Sequence, residues 1–217
     1  VREYGLDPAW NFTVPGLTWD AMLKNIKIKL ELFTDPDMAN FVEKGIRGNF
    51  SGVTTRYAKA NNKYMNDYDP SKPSTFIIYI DSNNLYGQAM SQELPYADFT
   101  WGNPEKLPRC KDELRAYIDK LRKKGKGAFF KIDLKSRKHL HDLHNDFPLC
   151  PENVKIDVKV TKLITNLNDK ERYVMHYKML MFCLDQGMEL VKIHRATTFK
   201  ESAWMKPYID LNTKLRT

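Results

Sequence analysis

Cysteine is scarce in this chain of 217 residues, and its three examples, Cys110, Cys150 and Cys183, lie far apart. An odd, scattered set excludes both a disulfide framework and a zinc site of paired Cys-x-x-Cys type, and reads as reduced thiols in an intracellular protein. No apolar run is long enough to span a bilayer. The first residue is Val1, and no charged, apolar and small-residue series follows it as in a signal peptide, so the chain reads as an excerpt of a longer protein. The sequons Asn11-Phe-Thr13 and Asn49-Phe-Ser51 therefore carry no weight. What is present is 42% hydrophobic residues, enough for a real core, and a formal net charge of +8. That balance suits a polyanionic partner, although many soluble proteins are equally basic.

Periodicity places the regular elements. Thr18 is a candidate cap for a helix with Trp19, Met22, Leu23 and Ile26 on one face. Asp35, Pro36 and Gly45 punctuate a second helix, with Met38, Phe41 and Val42 inward. Leu114, Tyr117, Ile118 and Leu121 mark a third over 111–124. Its Arg122-Lys-Lys-Gly-Lys126 tail reads as a solvated helix end. Strands are expected over 127–134, 155–161 (Ile156, Val158 and Val160 on one face) and 189–197. Helices are expected over 173–186 and 202–216, Pro207 either disrupting the last one or marking its start. His139, His141 and His144 lie near Cys150 but lack zinc-type spacing, so the segment reads as a loop. These elements, without regular βαβ alternation, give an α+β class.

The most informative stretch is Thr75-Phe-Ile-Ile-Tyr-Ile-Asp-Ser-Asn-Asn-Leu-Tyr-Gly-Gln-Ala-Met90. Phe76 to Ile80 read as a short strand buried on both faces. The run stops at Asp81, small polar residues follow, and a short helix is expected over 88–92. From spacing alone this is more commonly a strand-ending turn than a site. A carboxylate at the end of a buried strand nevertheless suits rigid metal binding. Arg56-Tyr-Ala-Lys-Ala-Asn-Asn-Lys-Tyr64 mixes cations with aromatics, as phosphate contact and stacking require; a solvated edge and loop is the plainer alternative.

Asp81-Ser-Asn-Asn-Leu-Tyr-Gly87 resembles motif A of the B-family DNA polymerases, Asp-x-x-Ser-Leu-Tyr-Pro, closest to the protein-primed branch of Maverick/Polinton-type mobile elements and related viruses. The resemblance runs through Leu6-Asp-Pro8, Thr13 to Lys24, Asn166 to Lys170, Lys192-Ile-His-Arg195 and Lys206 to Thr213. Ile46-Arg-Gly-Asn49 resembles the Tyr-x-Gly-Gly element that contacts the template in that family, with Ile for Tyr and Asn for the second Gly. The family implies a polymerase palm of mostly antiparallel sheet with flanking helices, plus an inserted region before the fingers. Its implied division is 1–44 as a linker after the exonuclease, 45–102 as the start of the palm, 103–198 as inserted and palm segments, and 199–217 as the start of the fingers.

The activity implied is DNA-directed, protein-primed DNA synthesis by two-metal nucleotidyl transfer. Asp81 and the Ser82 carbonyl would be magnesium ligands. Asn83, Asn84 and Leu85 would line the triphosphate pocket with Ser82. Tyr86 would stack under the incoming sugar and exclude a 2′-hydroxyl; without the family, a core aromatic is its simpler reading. Arg47, Gly48, Asn49, Arg56 and Lys59 would contact DNA. The sequence departs from the pattern at Asn84 (Ser in the family) and Gly87 (usually Pro, with Gly in the Maverick-like branch). It also lacks the exonuclease motifs, the Asp-Thr-Asp of motif C and the lysine-bearing motif B. The two-metal site would therefore be completed by residues outside this chain, which alone should not polymerise. Implied partners are primed template DNA, deoxynucleoside triphosphates and a terminal protein primer, with no membrane, in the nucleus or at a viral replication site of a eukaryotic host. The competing readings are a catalytically dead DNA-binding remnant of a transposon or viral polymerase and a general basic interaction module.

Overall fold

The computed structural model describes residues 3–48 and 50–216. These form six strands: β1 (Leu94–Trp101), β2 (Lys126–Lys135), β3 (Glu152–Asp157), β4 (Val160–Ile164), β5 (Lys170–His176) and β6 (Glu189–Ser202). The α-helices are α1 (Val14–Ile26), α2 (Pro36–Glu43), α3 (Leu85–Met90), α4 (Lys111–Arg122), α5 (His141–His144), α6 (Tyr177–Asp185) and α7 (Lys206–Arg216). The chain is α+β and divides into two compact units. One comprises Val1–Ile46, Asn84–Lys135 and Lys170–Thr217, the other Arg47–Asn83 and Ser136–Asp169.

The first unit is built on an antiparallel sheet of order β1-β6-β2-β5 with flanking helices. β2 is central and is buried on both faces because each face has its own cover. On one, Phe129 joins Val174, Phe199, Phe41 and Val42, with Phe99 and Trp101 packed against them. On the other, Phe130 meets Tyr117 of α4 edge-on at 6.2 Å, and Leu114 and Leu180 are fully buried. Gly127 is a packing requirement: a Cβ there would lie 2.6 Å from both the Phe199 ring and Glu201 Oε2. A separate cluster joins α1 to α7 through Ala21, Met22 and Tyr208.

The second unit contains the β3–β4 hairpin and a loop closed by an antiparallel bridge between Asn61 and Thr75.

Several expectations are corrected. α1 is capped by Thr13, whose Oγ1 accepts from the Gly16 N–H at 3.2 Å. Pro15, in the first turn where its missing N–H costs nothing, lets the helix start before Thr18; Trp19 is half exposed. The strand expected over 155–161 is a hairpin that turns after Asp157, whose carboxylate accepts from the Val158 N–H. Ile156 and Val158 are consequently exposed. The helix expected from Tyr173 starts only at Tyr177, because Tyr173–Met175 are held in the ladder with β2. The expected strand Phe76–Ile80 is not one: these residues are in no ladder and are 62–91% exposed. An apolar run becomes a strand only where neighbours take its backbone hydrogen bonds. The histidine segment forms short helical turns over 138–144 rather than an open loop. The last helix starts at Lys206 with Pro207 in its first turn, the second of the two alternatives for that proline.

Candidate functional site

The border between the two units falls between Asn83 and Asn84, so the two halves of the candidate motif are described separately. In the second unit, two asparagines that sequence reasoning passed over organise the approach to Asp81. The Asn61 side chain donates to the Asp69 carbonyl at 3.0 Å and accepts from the Asp69 N–H at 2.9 Å. The Asn61 backbone pairs with Thr75 in both directions, at 3.2 and 2.7 Å. Asn62, 6% exposed, donates to the Thr75 carbonyl at 3.1 Å. Asparagine carries both donors and an acceptor on a short stem, so an Asn-Asn pair before a proline-rich loop was the signal that could have found it. These bonds anchor Thr75, the residue from which the exposed Phe76–Ile80 segment leads to Asp81. Asp81, Ser82 and Asn83 are all exposed. The Asp81 carboxylate and the Ser82 carbonyl are hard oxygen donors of the kind magnesium takes. Among the described residues no group of three or more His, Cys, Asp or Glu could hold a metal, so Asp81 and Ser82 fit as part of a ligand set only.

The basic positions have unequal standing. Arg56 and Gly48 are exposed, and a Cβ on Gly48 would meet nothing within 4 Å, leaving its backbone open to a close approach. Arg47 is half-buried. Asn49 lies outside the described residues. Lys59 is ion-paired to Asp67. The hydrogen bond and charge of that pair raise the lysine pKa and lower that of Asp67, so a phosphate would have to compete with a partner already in place. Tyr57 and Tyr64 are both 77% exposed, and Lys63 Nζ lies over the Tyr64 ring, 5.2 Å from its centroid.

In the first unit, Asn84 caps α3 from the left-handed region, φ 54°, which asparagine tolerates better than most residues. Its Oδ1 accepts from the Gly87 N–H at 3.1 Å. A Cβ at position 87 would stand 2.2 Å from Asn84 Nδ2, so the Asn84 side chain occupies the space that glycine leaves. Leu85 and Tyr86 are 56% and 70% exposed. Tyr86 is thus not a core aromatic.

The first unit also holds polar pairs that the sequence did not signal. Glu201 on β6 is 8% exposed, and its Oε1 accepts from the Tyr177 hydroxyl at 2.6 Å while Oε2 lies 3.7 Å from His176 Nε2. Burial pushes the Glu201 carboxyl up, but the nearby His176 imidazole and the hydrogen bond from Tyr177 outweigh it and hold the pKa below its ordinary value. Burial and the bond to Glu201 drive the Tyr177 phenol far upward. Asp133 Oδ2 lies 2.7 Å from His194 Nε2, and Oδ1 accepts from the Arg172 N–H at 2.7 Å. Burial again opposes the net lowering of its pKa, which the Arg172 and His194 bonds produce. Neither cluster includes a serine, threonine or cysteine as nucleophile among the contacts described. Each ties β6 to a neighbouring element.

No helix among the described residues is long and apolar enough to cross a membrane. No family model, curated protein or solved structure matches this chain.

Proposed function

We propose that this chain is the palm segment of a protein-primed B-family DNA polymerase, supplying Asp81 as a metal-binding carboxylate and Tyr86 as the sugar-selecting ring. The proposal rests on the resemblance of 81–87 to motif A and on the order of the other motifs along the chain. The observation that supports it most is the exposure of Tyr86, which removes core packing as the reason for an aromatic at that position. Magnesium, when bound, would stabilise the charge that develops on the attacking and leaving oxygens of an in-line displacement. The Asp81 carboxylate and the Ser82 carbonyl would hold it together with ligands from elsewhere. The N–H groups of 83–85 would face the triphosphate. The exposed Tyr86 ring would bear on the sugar of the incoming nucleotide and would exclude a 2′-hydroxyl. Tyr57, Tyr64 and Arg56 would stack on and pair with the DNA strand.

Primer extension by the full-length protein with magnesium and a primed template tests this reading. Asp81→Asn keeps size and removes charge. It should abolish extension while DNA binding, measured by fluorescence anisotropy, is retained. Extension at the wild-type rate would show that 81–87 is an ordinary turn. DNA binding without extension by the wild type would favour the inactive remnant instead.

A further inference from the structure

We propose that the sheet face on which Lys131, Lys192 and Arg195 stand together is a docking surface for the phosphate backbone of duplex DNA. The three residues belong to the first unit, and the proposal does not depend on the polymerase reading of 81–87. The ladders fix which side chains share this face. Lys131 on β2 is opposite Val174 on β5 and Arg195 on β6. Val174 belongs to the apolar cluster that includes Phe129, two residues before Lys131, so this face turns from apolar to basic at Lys131. Asp133, two residues further on, is opposite Lys192. Residues two apart on a strand, and partners directly across a ladder, project to the same side. The carboxylates nearest these cations are already engaged. The register of β2 breaks beside Asp133 against both neighbours. There His194 Nε2 lies 2.7 Å from Oδ2, and the Arg172 N–H donates to Oδ1 at 2.7 Å. Asp37 is held by one Arg195 nitrogen; a guanidinium has five N–H donors, and stacking on Trp101, with Cζ 3.4 Å from the ring centroid, fixes its plane. The other carboxylates on these stretches, Glu171 and Glu189, are exposed, and Glu189 is opposite Lys135. Lys192 is near enough for its charge to act on Asp133, yet neither it nor Lys131 forms an ion pair among the described residues. Lys131 is half-buried on the central strand, so its charge loses water without gaining a counter-ion. A run of phosphates meets several such cations at once, as a single small anion does not. The ring beside the group, Trp101, lies under Arg195, which favours backbone contact over base stacking and so a duplex over a single strand.

Binding of a short fluorescein-labelled duplex to the full-length protein, followed by anisotropy over a series of salt concentrations, tests the surface. Each phosphate contact contributes about 0.9 to the slope of log K against log salt concentration. Lys131→Gln/Lys192→Gln should therefore reduce the slope by about 1.8 and weaken binding uniformly across sequences. Lys120→Gln/Lys124→Gln removes the same charge from the exposed C-terminal end of α4 and should leave the slope at its wild-type value. Lys131→Arg/Lys192→Arg keeps both charges and should keep the slope, which separates a lost contact from damage to the sheet; thermal melts check that each variant is folded. Equal reductions in the two glutamine variants would mean attraction by net charge alone, and an unchanged slope in Lys131→Gln/Lys192→Gln would mean that DNA does not touch this face; either overturns the proposal. Poly-L-glutamate that displaces the duplex from the wild type at matched charge concentration would make the face a site for acidic protein, and overturns it as well. Asp81→Asn, which tests the polymerase reading, should leave the slope unchanged. A wild type that binds DNA through this face and does not extend primers overturns the polymerase reading and leaves this proposal standing.

Discussion

Removing one oxygen atom, by Tyr177→Phe, tests how the sheet unit holds a charge in its interior. The phenol donates to Glu201 Oε1 at 2.6 Å, and the two residues are 4% and 8% exposed. Phenylalanine fills the same space, so no cavity opens and the cost isolates the hydrogen bond. The carboxylate has little room to turn away, since Gly127 is backed against Oε2 so closely that a Cβ would stand at 2.6 Å. A hydrogen bond to a charged group contributes about 1.5–3 kcal/mol net, and that is the expected loss on unfolding in urea, with the slope m unchanged. All four tryptophans, at 10, 19, 101 and 204, belong to the same unit as the bond, so their fluorescence follows the relevant transition. The folded-state pKa of Glu201 is lowered. Its contribution is therefore present above the unfolded glutamate value of about 4.3 and is lost as pH falls through the lower folded value. Without the phenol the folded pKa rises, so the stability of Tyr177→Phe should fall less steeply below pH 4.3. In a Glu201→Gln background the same change should cost about 0.5–1.5 kcal/mol, as for a neutral pair. A loss below about 0.5 kcal/mol in the wild-type background, or equal losses in the two backgrounds, would refute the argument that Tyr177 holds an ionised Glu201.

Phe130→Ala should destabilise the same unit by about 3–5 kcal/mol, because Phe130 is fully buried on the central strand; urea unfolding measures it, and a smaller loss would mean that the site collapses around the truncation. Trp101→Phe removes the indole N–H that donates to Asp35 Oδ2 at 2.9 Å. That bond, followed by the Asp37 N–H, lowers the Asp35 pKa, so the carboxyl should titrate at higher pH in the variant, as followed by carboxyl NMR shifts. An unchanged Asp35 titration would show that the helix cap alone sets it.

Elements whose signal is local were legible in the sequence. Asp35 and Pro36 start α2 where cap and fixed φ place it, and the buried α2 residues are Met38, Phe41 and Val42, as their spacing indicates. The 3.6-residue period of Leu114 and Ile118 likewise marks α4, which buries both. Strands β2 and β6 were legible from their apolar content, although β6 continues to Ser202, beyond the alternation, because β1 pairs with that end. Residues 173–176 have a pattern that suits a helix or a strand equally, and only the ladder with β2 decides for β5. The run Phe76–Ile80 shows the converse: its apolar content predicts burial, whereas these residues are exposed.

For the candidate site, the sequence by itself determined chemical identity: a carboxylate at Asp81, an aromatic at Tyr86, and asparagine and glycine where the polymerase pattern has serine and proline. The tertiary structure decided what those identities do to one another. The Asn84 side chain folded over Gly87, the exposure of Tyr86, the loop closed by Asn61 and Asn62 on Thr75, and the capture of Lys59 by Asp67 each depend on how the chain brings residues together in space. The Glu201, Tyr177 and His176 cluster required more still, since β6 must first lie beside β2 and β2 beside β5 before the groups can meet. Residue type sets which bonds a side chain can make. Only the folded chain sets which partner comes within reach, because loop closure brings together groups that composition and periodicity treat as independent.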